Sequence, residues 1–562
     1  MVLTSLKSIL ALGVIGIPRT ISDPLPSYDP QEIITRDVCI IGGGSSGTYA
    51  AIQLHDAGKS IIVLEKEAIL GGHTNTYVDP TTNVTVDYGV VVFHDLDIVK
   101  TYFNRLGVPF KKASHLSPSP LFVDLSTGRP VSNYTPPNPA NALAAYGQQA
   151  AQYPELEAGF YLPDPVPEDL LMPFGHFVDK YNLSDAVQIV ASFGQGLGDI
   201  LNLQTLYVFK NFGLDILRNI QVGFLDTASG NNQEIYQKAQ EVLGSDLLFR
   251  TQVVSIDRSA VNHIKVLVHG PFGIRTIKAK KLLISIPPTR ANLHGFNLDQ
   301  DELDIFGQFV NTGYYTGLVR STGLQNITAI KNIGPNTPQN LPQLPGLYGI
   351  TATAIPGLYD VKYGSQVSLP VEVVKADIIA AIKRLQETGI AAVKEEPEFM
   401  AFSSHTPFEL TVSTENIKSG FYSKLYALQG RQNTFYTGAA FHTQDSSLLW
   451  QFTDAARAGE LQIHPVKHGS ESDHPAIASV FKLDTPPVDQ CPRRYLFQET
   501  DREKVTAQIS HLRSSPLHKV SPRELGHHLQ YLVGEIEGVL HKMNITVSFI
   551  DTVELADTNL LG

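Results

Sequence analysis

"DVCIIGGGSSGTYAAIQL", residues 37–54, sets a short apolar run, a glycine turn and a helix-period segment in immediate succession. Gly42, Gly44 and Gly47 hold the spacing G-x-G-x-x-G, and the strand before them and the helix after them are what give that spacing meaning. The first glycine permits a tight turn, the second lets a pyrophosphate approach the main chain, and the third lets helix and sheet pack closely. The free N–H groups and positive dipole end of the opening helix turn then face the phosphates, with the hydroxyls of Ser45 and Ser46 as further donors.

Working outward, Gly58 is placed to end the helix, and "KSIIVLEK", residues 59–66, is a second apolar strand, so the unit is strand, helix, parallel strand. Glu65 ends that strand, 18 residues after Gly47. A carboxylate there is an acceptor suited to ribose hydroxyls and repels the extra phosphate of NADP, which leaves FAD or NAD.

The 562-residue chain has room for two or three domains, and 43% hydrophobic content with mixed charge is that of a globular protein. A net charge of -12 without a basic tract sets nucleic acid aside, because phosphate binding needs clustered Lys and Arg. At the start, Lys7 precedes an apolar run over residues 9–17 that is too short to cross ~30 Å of hydrocarbon. This predicts a signal peptide over 1–22, no stable membrane span, and a secreted or ER-lumenal protein. Asn83, Asn133, Asn182, Asn326 and Asn544 each open an N-x-Ser/Thr glycosylation triplet. Only Cys39 and Cys491 are present, so no disulfide framework is expected, and Cys39 sits in an apolar strand as a small core residue.

"EKEAILGGHTNTY", residues 65–77, adds a second glycine pair, Gly71-Gly72, soon after the acidic residue. "RTQVVSIDRS" (250–259), "KKLLISIPP" (280–288) and "YTGAAFHTQDSSLLW" (436–450) follow in order. The set resembles the two-dinucleotide-binding-domain flavoproteins that include flavin amine oxidases and phytoene desaturases. With "DYGVVVFHD" (87–95) it looks more closely like fungal secreted flavoproteins of the β-cyclopiazonate dehydrogenase type, over residues 36 to about 457. The resemblance implies FAD as cofactor, with the Val253 main chain meeting the adenine, Gly438 and Ala439 near the pyrophosphate and ribityl chain, and the next helix aimed at the flavin ring. Where those enzymes often carry Arg after the glycine pair this chain has His73, so no arginine role carries over. His73 is instead a candidate for covalent flavin attachment, which occurs in some related enzymes.

The expected fold is α/β, a Rossmann-type FAD-binding domain whose parallel sheet carries a three-stranded β-meander, plus an inserted α+β substrate domain. Residues 36–113, 220–289 and 397–459 are assigned to the first, 114–219 and 290–396 to the second, and 460–562 to a C-terminal extension with no interpretable motif.

Catalysis by flavin enzymes asks for position, dryness and charge around a substrate C–H bond that gives up a hydride, and it requires no fixed triad. His94 is a candidate base, since histidine titrates near neutral pH, and a hydrogen-bonded structural role competes with that reading. His442 is a candidate ring contact, with capping or packing as the alternative. Phe421 and Tyr422 are candidates for a pocket wall, or for the core. Adjacent His527 and His528 point to different sides of a helix, so no metal site is expected. The leading expectation is an FAD oxidase or dehydrogenase of a small hydrophobic substrate of secondary metabolism, with molecular oxygen or another molecule as electron acceptor. An FAD-dependent double-bond isomerase of polyunsaturated fatty acids would carry the same motifs, and so would a non-catalytic flavoprotein. Oligomeric state is not legible.

Overall fold

The computed structural model describes residues 33–113, 119–324, 327, 329–392 and 396–458, with side chains to 454. The stretch expected to be a signal peptide, Asn326, Cys491, His527, His528, Asn544 and the C-terminal extension lie outside these residues.

The strand Ile33–Ile41 is central to a seven-stranded sheet. It pairs in parallel with Ile61–Leu64 on one side and with the long strand Gly273–Ile284 on the other. Val38, Cys39 and Ile40 are fully buried, as is Ile61, because a parallel sheet is covered on both faces. Leu247–Leu248 extends the sheet beyond Ile61–Leu64. The strands Gln252–Asp257, Ile264–Gly270 and Gly273–Ile284 form the expected antiparallel meander. Gly273–Ile284 belongs to both halves: its first part pairs with the meander, and Leu282–Ile284 pairs in parallel with Thr434–Tyr436.

A second seven-stranded sheet runs in the order Glu398–Ser404, Gly313–Arg320, Tyr359–Ser365, Gly346–Ala352, Ala329–Asn332, Leu121–Asp124, Arg129–Pro130. The helix Val371–Glu387 covers it with Val374, Ile378, Ala381, Ile382 and Leu385, a spacing that places all five on one helical face. The helices between Ala140 and Val222 contribute Tyr146, Phe174, Phe209 and Phe212 to the same core as the first sheet.

Two domain boundaries move. Glu398–Ser404 pairs with Gly313–Arg320, so the second sheet runs past the expected boundary at 397. Conversely, residues 290–311 stay with the first sheet: Leu293, Phe296, Ile305 and Phe306 enter its core. There the Arg258 guanidinium grips Glu302 with bonds of 2.7 and 2.5 Å, and the Tyr436 hydroxyl donates to the same carboxylate at 2.6 Å. Pro287-Pro288 ends a strand, not a domain.

Candidate functional site

The three glycines of the first turn do three different things. At Gly42, φ is +101°, and a Cβ would lie 2.7 Å from the Ser285 hydroxyl. At Gly47 a Cβ would lie 2.0 Å from the Gly42 carbonyl oxygen, so only glycine lets the helix start this close to the strand. Gly44 has ordinary backbone angles, and a Cβ there would meet only the Gly72 Cα, at 3.9 Å. Gly44 and Gly72 thus face each other as bare main chain, and Gly71 N–H donates to the Gly43 carbonyl at 2.9 Å to hold the two turns together.

The third glycine turn joins them through Ser285. Its hydroxyl donates to the carbonyls of Ile41 and Gly42, while its own carbonyl is the nearest neighbour, at 3.2 Å, of a Cβ built on Gly438, where φ is +107°. Gly438 precedes the short 3-10 turn Ala439–Phe441. Ser285 lies inside "KKLLISIPP", and nothing in the sequence distinguished it from a strand-end residue.

The helices Ser45–Asp56 and Ser446–Ala458 begin side by side: Trp450 Nε1 donates to Ser45 Oγ at 3.0 Å, and the Tyr236 hydroxyl sits among Ser45, Thr74 and Ser446. The first helix has no acidic residue in its first turn and Gly44 offers no capping side chain, so its leading N–H groups remain for an anion, whereas Asp445 caps the second by accepting Leu448 N–H at 2.9 Å. Ser46 is buried in that first turn. The buried hydroxyls of Thr74 and Tyr236 have no partner of hydrogen-bonding geometry, a state that a phosphate or flavin oxygen would relieve.

Glu65 is 7% exposed, and its two oxygens already accept N–H bonds from Gly43 (2.7 Å) and Glu67 (2.8 Å). It ties the glycine turn to the strand end, and each oxygen retains lone-pair capacity for a ribose hydroxyl. Thr251 N–H donates to the Glu65 carbonyl at 2.9 Å, which leads the chain past this corner to Val253, at a bulge of the meander. These groups fit a dinucleotide whose pyrophosphate crosses Gly44 and Gly72.

Four side chains singled out in the sequence take defined places. His73 stacks on His405, with ring centroids 4.3 Å apart, and lies 6.0 Å from the Phe408 ring. Burial, with Lys66 adding to it, holds His73 down at about 4, so it is neutral at pH 7. His442 is buried, with Nε2 2.9 Å from the Glu157 carbonyl and Nδ1 3.4 Å from Lys210 Nζ, which assigns the proton to Nε2. Its lone pair faces an ammonium, and its pKa falls well below the usual range through burial and that charge. His94 is 1% exposed, with Nε2 3.4 Å from Asp445 and its main-chain N–H on Ser447, so it braces the start of the C-terminal helix. Tyr422 stacks on Phe160 at 4.0 Å and donates to the Tyr207 hydroxyl at 2.9 Å; with Phe421 it belongs to the core and is not part of the wall of the cavity at Tyr348.

Several groups escaped the sequence reading. His405 Nε2 lies 3.0 Å from Asn75 Oδ1, which assigns its proton there and leaves Nδ1 as an acceptor; burial, His73 and Lys362 depress its pKa strongly. Tyr314 lies 5.7 Å from His405 and 4.9 Å from Phe408, and Tyr348 is 6.5 Å further on. Behind the C-terminal turn lie Lys210 and Glu409, whose burial pulls the ammonium down and pushes the carboxyl up to about 8. The only sequence signal for either is one charge inside an apolar run, "LYVFKNF" and "PFELTV".

Tyr348 lines a cavity of about 570 Å³ between the helices around residues 173–202 and the second sheet. A register shift between Leu347 and Gly349 makes Tyr348 the bulged residue, and its hydroxyl accepts the buried Gly196 N–H at 3.1 Å. The rings of Tyr348, Tyr314, Phe408 and His405 therefore run from this cavity to His73 and the Gly71-Gly72 turn. Among the described residues no group of His, Cys, Asp and Glu is arranged to hold a metal, and no helix is long and apolar enough to cross a membrane.

A family model described as an NAD(P)-binding Rossmann-like domain matches residues 40–106. The chain belongs to the FAD-dependent oxidoreductases. It is 44% identical over 438 residues to the FAD-dependent oxidoreductase oblC of Cochliobolus heterostrophus, covering 75% of this chain and 90% of that one. It is 36% identical over 430 residues to the beta-cyclopiazonate dehydrogenase of Aspergillus oryzae, covering 76% and 93%. Among solved structures, the fatty acid isomerase of P. acnes that produces CLA superposes with a TM-score of 0.61 at 19% identity, over 76% of this chain and 99% of that one, a likeness of fold. FAD is thus the dinucleotide, as the motifs imply.

Proposed function

We propose that this FAD-dependent oxidoreductase removes a hydride from a small hydrophobic secondary metabolite held between the aromatic shelf and the flavin, with molecular oxygen or another acceptor taking the electrons. The observation that carries this reading is the continuous run of rings from the cavity at Tyr348 to His73 beside Gly72. The ring run gives the substrate an apolar wall, and the cavity at its outer end adds polar groups that can orient it.

Bound FAD supplies the hydride acceptor. The chain supplies the rest. Gly44, Gly72 and the start of the helix Ser45–Asp56 would hold the pyrophosphate, and Tyr314 and Phe408 would shield the reacting carbon from water. His405, neutral and fixed through Asn75, offers Nδ1 as a hydrogen-bond acceptor to the substrate, and its strongly depressed pKa means that a proton lost with the hydride passes on to solvent. Lys362 donates to Asp360 and to the Tyr88 carbonyl, which fixes a charge pair near His405 and Tyr314.

The test is the absorption spectrum of the purified protein before and after acid precipitation, followed by anaerobic mixing with candidate substrates. Flavin that stays with the pellet points to a covalent link, expected at His73. A bleached flavin after one turnover supports oxidation, whereas product that accumulates with the flavin still oxidised supports isomerisation, the reading that the likeness to the fatty acid isomerase favours. A colourless protein defeats the account.

We also place the protein in the secretory pathway, on the apolar run at 9–17 and the exposure of Asn83, Asn133 and Asn182. Protein from the native host should shift in mobility on treatment with an N-glycosidase.

A further inference from the structure

The mixed lining of the cavity at Tyr348 includes two aspartates, Asp179 and Asp199, and one basic side chain of the Lys/Arg type, Lys331. Lys331, on the strand Ala329–Asn332, lines the cavity beside Ser192. Its ammonium has three N–H donors and a single partner, the Ser192 hydroxyl at 3.2 Å; Ser192 in turn donates to the Gln188 carbonyl at 2.7 Å, so it accepts from Lys331. Among the described residues no carboxylate forms an ion pair with Lys331. Asp179 and Asp199 line the same cavity without pairing with it, and Asp199 accepts from Asn202 at 2.8 Å.

Other polar groups of the wall are already engaged. Asn332 accepts from Leu125 N–H and donates to the Leu347 carbonyl, Gln188 donates to the Gln339 carbonyl, and Gln195 accepts from Tyr314. Lys331 is half-buried, and burial without a compensating charge lowers its pKa. Lys331 therefore keeps two donors for an incoming anion, and no carboxylate among the described residues neutralises its charge in an ion pair. Ser192 is exposed, so Lys331 stands at the mouth, and the aromatic run begins at the inner end with Tyr348.

We propose that Lys331 anchors a carboxylate carried by the substrate, so that the enzyme acts on an apolar acid whose anionic end stays at the mouth while its apolar body reaches past Tyr348 and Tyr314. This rests on the oxidoreductase reading of the same site and specifies its substrate class. The reacting carbon is selected by its distance from the carboxylate, because one end is fixed and the rings set the path.

Calorimetric titration of the FAD-loaded protein with sodium octanoate and with octanamide tests it. Octanoate should bind more tightly than octanamide to the native protein. Lys331→Met should weaken octanoate about tenfold or more and leave octanamide unchanged, and Lys331→Arg should keep most of the octanoate affinity. The flavin spectrum and content should be the same in all three proteins, which separates this test from the presence of FAD. Equal affinity for the two probes, no binding of octanoate, or octanoate binding that survives Lys331→Met would each overturn the proposal.

Discussion

The glycine cradle and the aromatic cavity meet at His73, yet they are built by opposite means. In the cradle the working surface is main chain: Gly42, Gly44, Gly47, Gly72 and Gly438 matter because a side chain would fill a gap or strike a neighbour. Along the run of rings that starts at the cavity the working surface is side chain, and Tyr348, Tyr314, Phe408 and His405 come from three separate segments of the chain. Main-chain chemistry of the first kind fixes a cofactor common to many enzymes, and side-chain chemistry of the second kind can change from one substrate to another without disturbing it.

The largest expected effects fall on the cradle and separate its glycines. Gly47→Val drives a Cβ into the Gly42 carbonyl, a main-chain atom that has nowhere to go, so the protein should fail to accumulate in soluble form. Gly44→Val meets only the Gly72 Cα at an ordinary contact distance. It should fold with a native circular dichroism spectrum and lose at least about tenfold in flavin affinity, about 1.4 kcal/mol or more. A yellow Gly44→Val protein would mean that the pyrophosphate does not cross this turn.

Next in size is the support beneath the cradle. Arg258 and Glu302 are each 1% exposed and joined by two bonds. Glu302→Ala leaves a buried guanidinium without its partner, which costs about 3–5 kcal/mol. Denaturant unfolding should show that loss, while flavin stays bound at low temperature because neither residue touches the glycine turns.

This division also explains what the sequence made legible. G-x-G-x-x-G, Glu65, Gly71-Gly72 and Gly438 are local patterns, because each turn is made by a few consecutive residues, and the parallel sheet with its meander follows from apolar runs at strand length. Ser285, His405 and Lys331 were not legible, since each acquires its role from partners far away in the chain: Gly42 and Gly438, His73 and Asn75, Ser192. Tyr422 and His442 stayed open between a site role and a packing role for the same reason. An aromatic or a histidine near a cofactor motif has the same local sequence whether it faces the cavity or, as here, Phe160 and Lys210.

Between the two regions lies Glu409, adjacent to Phe408 of the shelf and near Lys210 behind the C-terminal turn. Burial raises its carboxyl from 4.5 to about 8, partly opposed by a hydrogen bond from Asn211 and by the Lys210 charge. A folded-state pKa above the unfolded value means that the folded protein binds the proton more tightly. Its contribution to stability is complete below about pH 4.5 and is lost as pH rises to about 8. Glu409→Gln keeps the shape of the protonated acid and cannot ionise, so its melting temperature should fall less between pH 5 and pH 8 than that of the native protein. Parallel curves would place Glu409 in an ionised state throughout.

The smallest effect sharpens the comparison from the cavity side. Tyr348→Phe keeps the ring and removes the hydroxyl that accepts the buried Gly196 N–H. One unsatisfied main-chain donor costs about 1–3 kcal/mol, so the variant should unfold at slightly lower denaturant. The bulge that carries Tyr348 is made by the strand register and survives the change, so the ring still begins the run towards His73. Flavin content and spectrum should therefore match the native protein, while a ligand that reaches past Tyr348 should bind slightly more weakly, because the Gly194–Gly198 wall loses one of its ties to the sheet and keeps those from Thr312 to Gly196 and from Tyr314 to Gln195. A changed flavin spectrum in this variant would show that the cavity wall and the cradle are one unit, and the division drawn between them would have to be abandoned.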